Sequence, residues 1–61
     1  MAKNDEYIKI DYEEILFESG GSYFIKIEGG DYWIPFSLCL IDEETKTIEV
    51  VKWKLEQLGL Y

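Results

Sequence analysis

Residues 22 to 36 read Ser-Tyr-Phe-Ile-Lys-Ile-Glu-Gly-Gly-Asp-Tyr-Trp-Ile-Pro-Phe, and this stretch decides the fold. Two runs of alternating β-branched and aromatic residues flank Gly29-Gly30, which is typical of a β-hairpin because a Gly-Gly loop can adopt the positive φ angles of a tight turn. Placing Glu28 opposite Asp31 gives the hairpin two distinct faces. The predicted core face consists of Tyr23, Ile25, Ile27, Tyr32, Ile34 and Phe36. The other face holds Phe24, Lys26 and Trp33.

A strand is also predicted immediately before the hairpin, at residues 14–18, with Gly20-Gly21 as the turn between them. If the turn has two residues, Leu16 faces the core and Phe17 faces away from it. A three-residue loop would reverse both assignments. The stretch 14–36 therefore predicts a three-stranded antiparallel meander.

Shorter patterns surround this meander. The alternation at residues 7–10 favours a short strand, residues 36–41 form an apolar connection that could include one helical turn, and residues 46–50 favour a further strand. Residues 42–45 predict a solvated charged turn, because they lack the spaced oxygen ligands and mid-loop glycine of a calcium loop. We expect the polar residues 1–6 to be flexible.

The end of the chain predicts one helix. Val51, Leu55 and Leu58 recur at helical spacing, and Gly59 follows where a glycine can end a helix in the left-handed conformation. So short a helix is marginal alone and must pack on the sheet. The predicted fold is a single domain over residues 1–61, α+β but mainly β: a small twisted antiparallel sheet of about four strands, which could curl toward an SH3-like half-barrel, with one short C-terminal helix.

The charge of the chain favours some partners over others. There are 13 acidic and 6 basic residues and no histidine, for a net charge of −7, and every basic residue is lysine. Binding to a phosphate backbone relies on Lys and Arg, so direct nucleic-acid binding is disfavoured and a basic protein partner is favoured. The same charge also serves solubility.

Catalysis, cofactor binding and metal binding are not expected. Without histidine or arginine, the acid–base candidates are carboxylates, and none is paired within an apolar pattern. Cys39, the only cysteine, lies between two leucines, which favours a small buried residue over a reactive thiol and excludes an internal disulfide. With no apolar leader and no membrane-spanning run, the chain predicts a protein of the cytoplasm that does not enter a membrane.

Two stretches carry a resemblance. Residues 27–35, Ile-Glu-Gly-Gly-Asp-Tyr-Trp-Ile-Pro, and residues 48–60, with their Trp and Gly-Leu ending, resemble the Trp-Ile-Pro hairpin and the terminal helix of small uncharacterised phage and prophage proteins. Phe36 replaces a lysine usual in that family, and Val51 replaces a proline, so no binding role of that lysine carries over. The resemblance implies phage origin and a small β-rich fold, but no activity.

Together, the charge and the resemblance favour a small acidic protein-binding module. Tiny acidic phage proteins can occupy the basic groove of a nucleic-acid enzyme, so we expect an inhibitor of a host nuclease or defence complex, similar to anti-CRISPR proteins, acting in the host cytoplasm. Exposed aromatics with a charged rim are typical of such interfaces. The residues expected to bind the partner are Glu13, Glu14, Phe17, Glu18, Phe24, Asp31 and Trp33.

Other interpretations stay open. For Trp33 itself we expect burial within the fold, beneath the helix or the N-terminal segment, which would leave no aromatic patch. Alternatively, exposed aromatics could stack on single-stranded nucleic acid, making the chain an accessory protein. The aromatic face could also close on a second copy, giving a homodimer or a larger homo-oligomeric structural protein.

Overall fold

The computed structural model describes residues 6–61. The flexibility predicted for residues 1–5 lies outside this part of the chain, whereas Glu6 is tied to the fold because its carbonyl oxygen accepts a 2.7 Å hydrogen bond from the backbone amide of Lys52. The elements are β1 (Tyr7–Asp11), β2 (Glu14–Ser19), β3 (Ser22–Ile27), β4 (Gly30–Pro35), a 3₁₀ turn (Phe36–Leu38), β5 (Cys39–Asp42), β6 (Thr47–Val51) and α1 (Lys52–Leu58).

The strands form two antiparallel sheets. The meander sheet has the order β2-β3-β4, and the second sheet has the order β1-β6-β5. The mainly β character with one short C-terminal helix and the predicted meander are confirmed. The prediction of one sheet of about four strands is corrected to two sheets of three, because β6 pairs with β1 and β5 rather than extending the meander. The likeness to an SH3 half-barrel stays a prediction.

The missed strand is β5. Residues 36–38 form the single helical turn foreseen in the apolar connection, but the chain then extends and pairs with β6. Cys39 faces the core and Leu40 faces solvent, as strand alternation requires. A run of consecutive apolar residues hides this alternation, because the exposed position is also a leucine.

The β3–β4 turn is one residue earlier than predicted. Its two turn residues are Glu28 and Gly29, with φ angles of 51° and 83°, so Ile27 pairs with Gly30 instead of Tyr32. Every predicted partner on β4 is therefore displaced by two positions. Because side chains alternate with a period of two, this displacement leaves each residue of β3 and β4 on its predicted face. Phe36 lies beyond β4 in the 3₁₀ turn and is exposed, so its prediction as a core-face residue is wrong.

The β2–β3 turn is Gly20-Gly21, as predicted, with both φ angles positive. Phe17 accordingly takes the face expected for it. A β-bulge then interrupts the pairing, and Ile15, not Leu16, lies opposite Ile25. Ile15 packs against the core, so the prediction that Leu16 faces it is wrong.

The hydrophobic core lies between the two sheets and beneath α1. Its buried members are Tyr12, Ile25, Ile27, Ile34, Cys39, Ile48, Val50 and Leu55. They come from the meander sheet, the second sheet, the β1–β2 connection and the helix. Each sheet therefore contributes one apolar face to a shared core, which a chain of 61 residues needs for stability.

The end of α1 follows the predicted pattern. Gly59 has a φ angle of 81° and donates its amide to the carbonyl of Glu56, while the amide of Leu60 donates to the carbonyl of Leu55 at 2.9 Å. These bonds satisfy carbonyl groups at the end of the helix. Val51 is corrected from the helix to the end of β6, where it is the residue before the first helical turn. The helix packs chiefly against β6.

Candidate protein-binding surface

Three aromatic side chains form a row across the outer face of the meander sheet, the face directed away from the core. Phe17 on β2 lies opposite Phe24 on β3, and Phe24 lies opposite Trp33 on β4. The ring centroids are 5.2 Å apart for Phe17 and Phe24, 4.6 Å for Phe24 and Trp33, and 5.6 Å for Phe17 and Trp33. We refer to these three residues as the aromatic row.

The aromatic row is open to solvent at both ends. Phe17 is 54% exposed and Trp33 is 45% exposed, whereas Phe24 between them is partly covered. The expectation that Trp33 is buried within the fold is therefore wrong. Trp33 is exposed because α1 packs on β6 and inserts Leu55 into the core instead of covering this face.

A charged row runs beside the aromatic row. Lys26 on β3 lies opposite Glu14 on β2 and opposite Asp31 on β4. Along the strands, Lys26 is two positions from Phe24, and Asp31 is two positions from Trp33. The lysine stands between the two carboxylates in the register without forming an ion pair with either of them. Both carboxylates are exposed and available to a basic partner.

The structure divides the seven residues predicted to bind a partner. Five share the outer face of the meander sheet, namely Glu14, Phe17, Phe24, Asp31 and Trp33. Glu18 lies opposite Tyr23 and so belongs to the other face. Glu13 precedes β2, and its carboxylate accepts a 3.0 Å hydrogen bond from the backbone amide of Gly29. That bond gives Glu13 a structural role in the β3–β4 turn.

A cavity of about 540 Å³ adjoins the aromatic row. Its lining consists of Tyr12, Glu14, Ile15, Phe17, Glu18, Glu43 and Lys46. Phe17 and Glu14 belong both to this lining and to the outer face, so the cavity and the face are continuous.

Sequence reasoning missed four of the residues that line this cavity, namely Ile15 on β2 and three residues from connections between strands. Tyr12, Glu43 and Lys46 come from the β1–β2 connection and the β5–β6 turn, which are far apart in the chain. Only Tyr12 is indicated by the local sequence. In residues 11–14 it is the single aromatic residue, and the other three residues are acidic. Such a residue turns toward the core, and Tyr12 is indeed buried.

Burial and neighbouring carboxylates act on Tyr12. Desolvation raises the pKa of its hydroxyl above the ordinary value, and the negative charges of Glu43 and Asp42 raise this pKa further. The amino group of Lys46 is held at the edge of the same region, where it donates a 2.8 Å hydrogen bond to the carbonyl oxygen of Glu13. The cavity therefore lies in a negative environment with one tethered cation.

The thiol of Cys39 is buried, which agrees with its interpretation as a small core residue. Burial raises its pKa to about 11, and its Sγ donates a 3.5 Å hydrogen bond to the carbonyl oxygen of Pro35. A thiol that stays protonated at neutral pH is a poor nucleophile.

Residues 6–61 contain neither a metal-binding cluster nor a membrane-spanning helix. No three cysteine or acidic side chains in this range come together as a potential metal-binding group. Within the same range, no helix has the length and apolar character needed to cross a membrane.

Known proteins add no functional assignment. No protein-family model matches the chain, and no curated protein or solved structure is significantly similar to it. The resemblance to phage hairpin proteins therefore stays a prediction.

Proposed function

We propose that this protein is a small acidic binding module that attaches to a basic protein through the outer face of the meander sheet. The observation that carries the proposal is the exposed aromatic row, in which Trp33 and Phe17 flank Phe24 on three adjacent strands. Trp and Phe are enriched at the centres of protein interfaces, and Trp is among the residue types that most often carry a large share of the binding energy.

Exposure of the aromatic row lowers the stability that so small a fold can reach. A domain of this size buries a limited fraction of its surface, and its large side chains are its main source of stability. Leaving much of Trp33 and Phe17 in water forgoes part of that stabilisation. A partner that covers the row would recover it, which is the usual significance of a contiguous exposed apolar patch.

Charge complementarity selects the kind of partner. Glu14 and Asp31 border the aromatic row, and the whole chain carries a net charge of −7. A basic surface would be steered toward this face and held in register by the carboxylates. By the resemblance to phage proteins, we propose a nuclease or defence complex of a phage host as the partner, inhibited when the module covers a surface that binds phosphates.

Nucleic acid and a second copy of the chain fit this face less well. Stacking of single-stranded bases on the row would need cations along the backbone, and Lys26 is the one lysine in the adjacent row. Self-association would bring together two molecules of charge −7. The experiment below separates both from a basic protein.

The test is affinity capture from bacterial lysate, quantified by mass spectrometry, with wild type, Trp33→Ala and Trp53→Ala as baits. Trp53 is a matched control because it is 46% exposed, close to the 45% of Trp33, but lies on α1. We expect to capture a basic protein that binds both wild type and Trp53→Ala. Its affinity for Trp33→Ala should be about 30-fold lower, which is the size of a hot-spot loss.

Three outcomes would contradict the proposal. A partner that Trp33→Ala retains would move the site away from the aromatic row. A gel shift of single-stranded DNA by wild type alone would assign the row to base stacking. Reversible dimerisation in sedimentation that Trp33→Ala abolishes, with no captured protein, would assign it to a second copy.

A further inference from the structure

We propose that the cavity beside the aromatic row accepts an arginine or lysine side chain. Which protein carries that side chain rests on the proposed function, since the docking partner would supply it. The preference for a cationic side chain depends only on the residues that line the cavity.

The walls suit a long cationic side chain. Tyr12, Ile15 and Phe17 provide aromatic and aliphatic surface, while the carboxylates of the lining come from Glu14, Glu18 and Glu43. Arginine and lysine combine an apolar stem with a charged head, so the stem can pack on the apolar wall while the head meets the carboxylates. The cavity, of about 540 Å³, is open to solvent, so such a side chain can enter it from outside.

The hydroxyl of Tyr12 provides an independent indication of a ligand. The residue is 6% exposed, and its hydroxyl makes no hydrogen bond to the side chains or backbone of residues 6–61. No fully enclosed side-chain N or O atom in that range lacks a partner, so this hydroxyl oxygen is accessible to solvent. The charge of Glu43, which lines the cavity together with Tyr12, acts on the hydroxyl. An unpaired hydroxyl on an otherwise buried side chain presents an acceptor to an N–H donor that enters the cavity.

The charge of the lining points the same way. The lining contains three carboxylates and one ammonium group, so its formal charge is −2. The ammonium of Lys46 is bound to the Glu13 carbonyl at the wall, so it does not satisfy all three carboxylates. The raised pKa of Tyr12, due to burial first and to Glu43 and Asp42 next, agrees with this negative environment.

Phe17 and Glu14 connect the cavity to the docking face. Both residues line the cavity, and both also belong to the outer face of the meander sheet. A partner lying over the aromatic row would therefore have its neighbouring side chains at the mouth of the cavity. A basic residue beside the partner's apolar contact is the recognition element that this arrangement fits.

The experiment is a titration of the full chain with N-acetyl-arginine amide, followed by two-dimensional amide NMR. The neutral isostere N-acetyl-citrulline amide is the matched control. We expect saturable shifts at Tyr12, Glu18 and Glu43 with the arginine derivative and none with the citrulline derivative. The double variant Glu18→Gln/Glu43→Gln should bind at least about threefold more weakly, as the loss of two partly exposed ion pairs implies.

A second variant tests the site by strengthening it. Lys46 has a φ angle of 57°, which asparagine tolerates, so Lys46→Asn removes the resident cation without disturbing the turn. We expect this variant to bind the arginine derivative more tightly than wild type. Equal shifts with the arginine and citrulline derivatives, or no saturable shift in wild type and Lys46→Asn, would overturn the inference.

The outcome is separable from that of the capture experiment. The probe is too small to span the aromatic row, so Trp33→Ala should bind the arginine derivative as wild type does. If the probe binds but Trp33→Ala still captures the partner, the proposed docking face is wrong and the cavity stands. If Trp33→Ala loses the partner but the probe does not bind, the docking face stands and the cavity assignment is wrong.

Discussion

The rings of Phe24 and Trp33 lie 4.6 Å apart, centroid to centroid, with their planes inclined by 31°. The two residues are directly opposite on β3 and β4, so the alignment of the strands produces the contact. An aromatic pair of this kind contributes about 0.5 to 1.5 kcal/mol beyond its buried area. Phe24 thereby becomes the partly covered centre of a row whose two ends remain in water.

Replacing Trp33 should therefore cost little stability. We expect Trp33→Ala to lower the free energy of unfolding by about 1 to 2 kcal/mol, through loss of the contacts with Phe24 and Phe17. Ile34→Ala removes a fully buried neighbour and should cost about 2 to 5 kcal/mol. Urea unfolding monitored by circular dichroism compares them, and an equal loss in both variants would contradict the assignment of Trp33 to the surface.

Neutralising the carboxylates of the docking face should weaken partner binding. We expect the double variant Glu14→Gln/Asp31→Asn to bind the captured protein less tightly and with a flatter dependence on salt concentration. The matched control is Glu49→Gln/Glu56→Gln, which makes the same change in net charge on the second sheet and α1. Affinities measured between low and high salt that are equal for both variants would show that only the overall charge matters.

The turn between β3 and β4 carries a strained residue. Glu28 has a φ angle of 51°, a conformation that asparagine adopts more readily than glutamate. We expect Glu28→Asn to raise the free energy of unfolding by about 0.5 to 1 kcal/mol. Glu28→Gln makes the same charge change without easing the backbone, so it should leave stability unchanged; equal gains in thermal unfolding would point to charge instead.

Glu13 and Glu14 are adjacent but should behave differently. The carboxylate of Glu13 accepts the amide hydrogen bond of Gly29, whereas that of Glu14 projects from the outer face. Glu13→Ala should cost about 1 kcal/mol of stability, the typical contribution of such a hydrogen bond. Glu14→Ala should cost less in the same denaturation experiment, and the reverse order would remove Glu13 from its structural role.

The buried thiol predicts a loss of stability at alkaline pH. Burial raises the pKa of Cys39 from 9.0 to about 11, so between these values the unfolded chain releases a proton that the folded chain keeps. The contribution of the protonated thiol to the free energy of unfolding is therefore fully present below pH 9. It is lost as the pH rises toward 11, by up to about 2 kcal/mol.

Cys39→Ala should flatten this decline when unfolding is measured across the same pH range. Part of the decline should remain, because burial also raises the pKa values of Tyr12 and Tyr23. A decline of the same steepness in wild type and Cys39→Ala would exclude the thiol as its source.

The face assignment of the hairpin was predictable because it depends on alternation alone. Ile25, Ile27 and Ile34 are all fully or almost fully buried, as their positions in the pattern indicate. The turn itself was misplaced by one residue, yet this moved each strand partner by two and preserved the face. The helix stop at Gly59 was equally local, since a glycine after a short apolar repeat is sufficient to indicate it.

The candidate site was predictable only in part. The aromatic and acidic residues of the outer face follow from the same alternation, so five of the seven proposed residues lie together. Glu18 was misassigned to the rim because it lies on the other face of β2. The exposure of Trp33 could not be read from the pattern, since it depends on which surface α1 covers.

The sequence by itself determined which side chains of β3 and β4 point inward, because alternation sets the parity of the positions on either side of a tight turn. On β2 the structure decided, since a β-bulge places Ile15 rather than Leu16 opposite Ile25. Only the tertiary structure decided that β5 and β1 flank β6, and that Tyr12, Glu43 and Lys46 meet beside Phe17. The physical reason is that strand pairing and helix packing join residues distant in the chain. Their energies depend on the surfaces that meet, which no local periodicity encodes.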